Sequence, residues 1–519
     1  MSLGKRTKRL TYLVHRWTGV GACALMALWF VSGVVMLFVG YPKLTPWERM
    51  RALPALDPVR CCVPVDAALS ATGASGRAQE VVLTSVNGRP TYRIRTADGK
   101  YLLVNATDGK PMTSVDAGSA MGAARLFVAD PGGHYMGLIQ EDRWTHSRGL
   151  DAHRPLHVVQ MGDAARTLLY VSSATGQVVM DAPRAQQIWN YVGAWLHWVY
   201  IFRDRSVDPI WNWTVTVLSA VCVLTSVTGT VAGIWRWRFS GRYKSGSHSP
   251  YREFHLRWHH MLGLAFASIV FTWIFSGLMS MNPAGIFDAK GSRPDMAHYR
   301  GDTPGAARLS IPAARILMLL QGSRFAASEL EWRVLDGRPF ILARDAANDT
   351  RLVVQEKDRY RVLDRWPHAD LMHAARRLLA APILAQEELD RYDAYYYERQ
   401  PEAMMGAAQR RLPVMRLRFG DPHDTWVYLD ARTGDVALSA DRSQRLGRWL
   451  FSFLHSWDLP AMLRAAALRD AVLIVFSLGG LLVSVTGIVI GYRRVSIWIT
   501  QARAGRAQMI INRNDLLGG

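Results

Sequence analysis

The chain is written twice, and each copy keeps a histidine beside its apolar runs. Leu13-Val14-His15-Arg16-Trp17-Thr18-Gly19 opens one run and Arg257-Trp258-His259-His260-Met261-Leu262-Gly263 opens another, and the shift of 244 that aligns them also lays Ser32-Gly33 on Ser276-Gly277. A shift of 258 carries Trp195-Leu196-His197 onto Phe453-Leu454-His455 and Thr228-Gly229 onto Thr486-Gly487. The same shift lays Tyr170 on Tyr428 and Thr175-Gly176 on Thr433-Gly434. Two like units packed about a pseudo-two-fold axis along a membrane normal bring each histidine opposite its counterpart.

A fifth of the residues are charged although half are hydrophobic, so the apolar residues must be gathered into segments. No Asp, Glu, Lys or Arg occurs in residues 17–42, 209–235, 261–287 or 471–492. Each run reaches the roughly 20 residues that a bilayer span needs, and Trp17, Trp211, Trp213 and Trp258 sit near their ends, as interfacial tryptophans do. The expected fold is a four-helix transmembrane bundle built from a duplicated unit.

Flanking cations orient it. Lys5, Arg6, Lys8, Arg9 and Arg16 precede the first run, Arg236, Arg238, Arg242, Lys244, Arg252 and Arg257 lie between the second and third, and Arg493 and Arg494 follow the fourth. By the positive-inside rule these ends are cytoplasmic. The expected organisation is a cytoplasmic N-terminus with the first span (1–42), an outer domain (43–208), a second span (209–235) and a basic cytoplasmic loop (236–257). A third span (258–287), a second outer domain (288–470), a fourth span (471–492) and a cytoplasmic tail (493–519) follow. In a bacterium this places the chain in the inner membrane with both large domains in the periplasm. The first span repeats the third, so it reads as a signal anchor rather than a cleaved leader. Topology and anionic lipid account for the membrane-flanking part of the +20 net charge, and no nucleic-acid partner is expected.

Each outer segment reads as a small α/β unit. Val81–Thr84, Thr91–Arg95 and Tyr101–Val104 are β-type runs separated by Asn87-Gly88 and Asp98-Gly99, strong hairpin signals that predict a meander. Asp336-Gly337-Arg338-Pro339 repeats the turn Asn87-Gly88-Arg89-Pro90. Leu168–Val171 with Thr175-Gly176, and Trp426–Leu429 with Thr433-Gly434, predict a second hairpin closing each unit. Residues 186–202 and 443–457 read as short interfacial helices.

Cys23 and Cys222 fall in apolar runs as small buried hydrophobes, and the pairing of Cys61 and Cys62 is not readable. There is no C-x-x-C, no zinc spacing and no nucleotide-binding glycine motif in a cytoplasmic domain.

The histidines sort into two levels. His15 and His259 enter the first and third spans from the cytoplasmic side, whereas His197 and His455 belong to the outer ends of the second and fourth. A full span separates the levels by roughly 30 Å, so one iron cannot take a ligand from each. Lateral pairing, His15 with His259 and His197 with His455, is the arrangement by which a helix bundle holds haem. Imidazole on both faces leaves no open position and favours electron transfer over oxygen binding. His260 beside His259 is the alternative ligand in the third span. His248 and His255 read as solvated loop residues, and His134, His146, His153 and His157 lack repeat partners. Arg16 is placed to meet a haem propionate. Met279 and Met281 read as packing residues, and Tyr395-Tyr396-Tyr397 as either a substrate face or domain packing.

His15-Arg16-Trp17-x-Gly, Trp195-Leu196-His197, the paired Thr-Gly spans and the Thr-Gly hairpins resemble the PepSY-associated transmembrane family of bacterial inner-membrane proteins, over nearly the whole chain. The resemblance implies two haem b groups on His15, His259, His197 and His455, and two periplasmic PepSY-like domains. It also implies electrons passed outward to a ferric siderophore or another ferric chelate. The donor is a membrane quinol or a cytoplasmic reductase. Competing readings are a membrane-anchored PepSY module that binds or inhibits a periplasmic protein, and a permease for iron or a chelate. The first gives the histidines no task. The second finds no internal charge in the spans to mark an ion path.

Overall fold

In a bilayer a backbone must satisfy its own polar groups, and a helix does so within one segment. The computed structural model describes residues 3–515 apart from 113–114, 131, 204–207, 302–310, 358, 402, 405 and 407–408, with side chains described for residues 4–501. It divides into a helical unit (Met1–Phe38, Tyr191–Ile286, Gly447–Gly519) and a sheet unit (Val39–Asn190, Phe287–Leu446).

The helical unit contains α1 (Leu3–Phe38), α2 (Pro209–Arg236), α3 (Phe254–Ala265), α4 (Ala267–Ser280) and α5 (Ala466–Asp515). Three of these, α1, α2 and α5, are long and apolar enough to cross a membrane. The exposed face of α2 is apolar, with Ile210, Trp213, Val217, Val221, Leu224 and Val227 recurring at helical spacing, while Ser219, Cys222, Thr225 and Ala232 are buried. Apolar outside with small and hydroxyl residues inside is the pattern of a lipid-facing helix in a bundle. On α5 the residues Val475, Leu478, Leu482 and Val485 face out, and Ser477, Ser484 and Thr486 face in.

The third apolar run is not one continuous helix. It breaks at Phe266 into α3 and α4, bent by 71°. The Phe266 ring fills the place where Gly479 of α5 has no Cβ, so an added Cβ there would overlap the ring. The residue at the matching place in α1 is the small, buried Ala22, and α1 runs unbroken. Helix α5 continues beyond the expected fourth span as far as Asp515. No Pro falls in that stretch to stop it.

Among the described residues the sheet unit has sixteen strands. They are β1 (Ala78–Val86), β2 (Arg89–Thr96), β3 (Tyr101–Asn105), β4 (Pro111–Met112), β5 (Gly133–Ile139), β6 (Leu156–Met161), β7 (Leu168–Ser172) and β8 (Val178–Ala182) in the first segment. The second supplies β9 (Ala327–Leu335), β10 (Arg338–Asp345), β11 (Thr350–Glu356), β12 (Arg359–Leu363), β13 (Ile383–Leu389), β14 (Val414–Phe419), β15 (Trp426–Asp430) and β16 (Val436–Ala440). Asn87-Gly88 and Asp336-Gly337 make the expected turns with positive φ throughout.

Each segment does not close on itself as the hairpin pattern predicts. β1 pairs antiparallel with β9, Val82 opposite Glu331, fusing the two meanders into one eight-stranded sheet of order β12-β11-β10-β9-β1-β2-β3-β4. That order is symmetric about the β1/β9 seam. The later hairpins belong instead to separate four-stranded sheets, β5–β8 and β13–β16. Sealing β1 against β9 removes two sheet edges that would otherwise stand unpaired. One apolar cluster joins Leu83, Tyr92 and Ile94 to Leu330, Ile341 and Val353 across the seam, covered by the helix residues Leu69, Ile316 and Leu320.

Beneath the seam lies a charged network. Glu329, 1% exposed, accepts two hydrogen bonds from Arg49 at 2.7 and 2.8 Å and one from Thr84 at 2.8 Å. Burial alone would push its carboxyl up, but the Arg49 guanidinium brings it down to about 2. Cys61 and Cys62 are bonded to each other.

Candidate functional site

The bundle brings the four repeated histidines into two facing pairs. The His15 and His259 ring centroids lie 6.2 Å apart, and those of His197 and His455 lie 6.0 Å apart.

Each ring is held by one nitrogen. His15 Nδ1 lies 3.0 Å from the carbonyl of Thr225, and His259 Nδ1 lies 3.0 Å from that of Val483, with Thr486 Oγ1 at 3.2 Å. A carbonyl only accepts, so Nδ1 carries the proton in both rings and Nε2 keeps its lone pair. In the second pair, His197 Nδ1 is 3.0 Å from Ser32 Oγ, and His455 Nδ1 is 3.0 Å from Ser276 Oγ. The hydroxyl protons go elsewhere, from Ser32 to the Leu28 carbonyl at 2.7 Å and from Ser276 to the Trp273 carbonyl at 3.0 Å. Both serines therefore accept from Nδ1–H, and a proton on Nδ1 leaves the lone pair of each neutral ring on Nε2. Trp29 fixes the His197 backbone as well, donating from Nε1 to its carbonyl at 2.8 Å.

Repeated glycines make room for the imidazoles. A Cβ on Gly229 would lie 2.5 Å from His15 Cε1, and one on Gly487 would overlap Cys23 and lie 3.2 Å from His259 Cε1. Gly33 and Gly277 each stand with the Cβ position 3.8 Å from Cε1 of His197 and His455. The Ser-Gly and Thr-Gly pairs stood out in the sequence as markers of duplication, with no task assigned. The Thr-Gly glycines leave the space beside the His15 and His259 rings, and the Ser-Gly serines bond to the His197 and His455 rings.

The two pairs sit at different depths. Ser32, bonded to His197, follows His15 by seventeen residues along unbroken α1, a rise of roughly 25 Å. Between them lies an apolar layer of Met26, Phe30, Cys222, Val270 and Ile274, with the Phe30 and Trp273 rings 6.1 Å apart.

His260 is differently engaged. Its Nδ1 meets Ser249 Oγ at 2.8 Å and its Nε2 meets the Gly233 carbonyl at 2.9 Å, so both ring nitrogens are occupied. His248 contacts the Arg238 carbonyl and stacks on Trp237, while His255 meets Phe254 edge-on. In the sheet unit, His157 bonds to Tyr135 and Val115, His153 to Ser172, and His146 to Glu141. No group of three or more His, Cys, Asp or Glu side chains converges as a metal site among the described residues. Arg16 is exposed beside His15. Of the tyrosine triplet, Tyr396 is fully buried, stacked on Tyr428 at 5.3 Å and donating to the Arg411 carbonyl, which makes it a packing residue.

No protein-family model matches the chain, and no curated protein matches it.

Both pairs stand at the separation that two imidazoles sharing one metal ion would take. Two imidazoles bound on opposite sides of one ion, each at about 2 Å, have ring centroids roughly 6 Å apart. The Nδ1 bonds supply the outer contacts that orient a metal-binding histidine and fix its tautomer.

Proposed function

We propose that this chain moves electrons across a membrane, holding one b-type haem between His15 and His259 and a second between His197 and His455. It reduces a ferric siderophore or another ferric chelate on the periplasmic side. The observation that carries this reading is the facing of two repeated histidine pairs with every Nδ1 engaged. A bis-histidine haem, when bound, supplies reversible one-electron chemistry at an iron with no open position.

The chain's own residues do the rest. Thr225, Val483, Ser32 and Ser276 hold the imidazoles in one tautomer, the glycines clear their flanks, and Arg16 offers a guanidinium to a propionate. His259, not His260, is the ligand in the third run, because His260 spends both nitrogens elsewhere. Reduction releases iron because hard oxygen ligands hold ferrous iron more weakly. The resemblance to the PepSY-associated transmembrane family points the same way.

The test is the absorption spectrum of the purified protein, followed by its reoxidation. The proposal expects two low-spin haems per chain. Chemically reduced protein should be discharged by a ferric siderophore with ferrous iron appearing in a trap, whereas the iron-free siderophore leaves it reduced. A purified, folded chain without haem rules the reading out. Haem that stays reduced in a panel of ferric chelates, but is discharged by another oxidant, removes the ferric substrate alone.

A further inference from the structure

The sheet unit has a cleft of about 660 Å³ along the β1/β9 seam, walled by the start of β1, the end of β2, the helix Met296–Arg300 and the Thr433-Gly434 turn. This is the size of sites that take small molecules. Its carboxylates are already claimed. Glu80 pairs with Arg93 at 3.1 Å, Glu331 with Arg333 at 2.6 Å and with Arg344 at 2.9 Å, and Asp435 with Arg333 at 2.8 Å.

Three further arginines line the cleft, and among the described residues none of them has a carboxylate partner: Arg77, Arg95 and Arg300. The duplication shows why Arg95 is left over. A shift of 249 lays the turn Asn87-Gly88-Arg89-Pro90 on Asp336-Gly337-Arg338-Pro339 and Arg95 on Arg344. Arg344 closes on Glu331, but the counterpart of Glu331 is Val82, so Arg95 has no matching acid.

A buried donor in the lining also stands open. Arg95 Nε lacks a hydrogen-bond partner among the described residues. A buried donor left unpaired in a native fold calls for an occupant that accepts. The uncompensated charge is felt nearby, where burial first, then Arg93 and Arg95, push the His153 imidazole down to about 4.

We propose that this cleft binds a small polycarboxylate anion, its carboxylates gripped by Arg95, Arg77 and Arg300. Guanidinium forks match carboxylates in pairs, so several arginines select for an anion with more than one. The inference stands apart from haem ligation, because no residue of the cleft belongs to the histidine pairs.

The test is calorimetric titration of the full-length protein in detergent with citrate, and separately with acetate. Citrate should bind saturably, and equimolar acetate should not displace it. Arg95→Gln and Arg300→Gln should each weaken citrate binding by about tenfold. Arg365→Gln, in a different basic hollow, should leave it unchanged. Arg300 is exposed on a helix end, so its variant retains the fold even if the Arg95 variant does not. Absence of saturable citrate binding, displacement by equimolar acetate, or undiminished affinity in folded Arg300→Gln overturns the proposal.

Discussion

Ser32 accepts the Nδ1 proton of His197 at 3.0 Å while passing its own proton to the Leu28 carbonyl, so one hydroxyl on α1 sets the tautomer of a ring that follows it by 165 residues. Removing that acceptor leaves the ring free to turn. Ser32→Ala should weaken retention of the haem at the His197 pair by about 10- to 100-fold, the usual cost of losing an outer contact to a metal-binding histidine. Haem content and reduction potential measure it, and the Ser276→Ala variant should match it.

The lateral pairing makes a sharper claim. His15→Ala and His259→Ala should remove the same spectral component, and His197→Ala and His455→Ala the other, each leaving one haem per chain. His260→Ala should retain both. A folded quadruple variant that still shows two low-spin haems would refute the assignment, and a silent His259→Ala with a damaging His260→Ala would move the ligand by one residue.

Gly229 offers a test by addition. Its Cβ position lies 2.5 Å from His15 Cε1, closer than carbon atoms approach without displacement. Gly229→Val should therefore expel the haem held by His15 and His259 while leaving the spectrum of the other pair in place. Gly21→Val, on the exposed side of α1 where an added Cβ meets nothing within 4 Å, should leave both haems in place.

Asp181 on β8 predicts a pH dependence in the sheet unit. Burial first, then the nearby Glu48, pushes its carboxyl up to about 7. The folded state thus binds the proton more tightly than the unfolded chain does. That preference stabilises the fold fully below the ordinary carboxylate range and is lost as pH rises through 7. Asp181→Asn should remove this loss, raising stability at pH 8 by on the order of 2 kcal/mol after allowance for solvent screening, with little effect at pH 4. Thermal unfolding of wild type and variant across pH 4 to 8 reads it. An equal stability difference at both ends of the range would show that the carboxyl is not the cause.

Local chemistry explains what was legible from residues alone. A charge-free run long enough to span a bilayer must become a helix, and α1, α2 and α5 do. Asn87-Gly88 and Asp336-Gly337 must turn, because both positions take positive φ. The duplication singled out His15, His259, His197 and His455 together with the Ser-Gly and Thr-Gly pairs, since a repeat exposes positions that each copy retains. What no local pattern carries is the identity of partners distant in sequence. The β1/β9 seam joins residues some 250 positions apart, and a meander's outer edge shows nothing in its sequence of which strand will seal it. Phe266, where the third run breaks, packs against Gly479 across the bundle, and the difference between His259 and His260 depends on Val483, Ser249 and Gly233. Sequence determined which residues could ligate and which segments could span; only the packed structure decided which ring nitrogen each imidazole spends on its neighbours, because a hydrogen bond is settled by the approach of two groups and not by either alone.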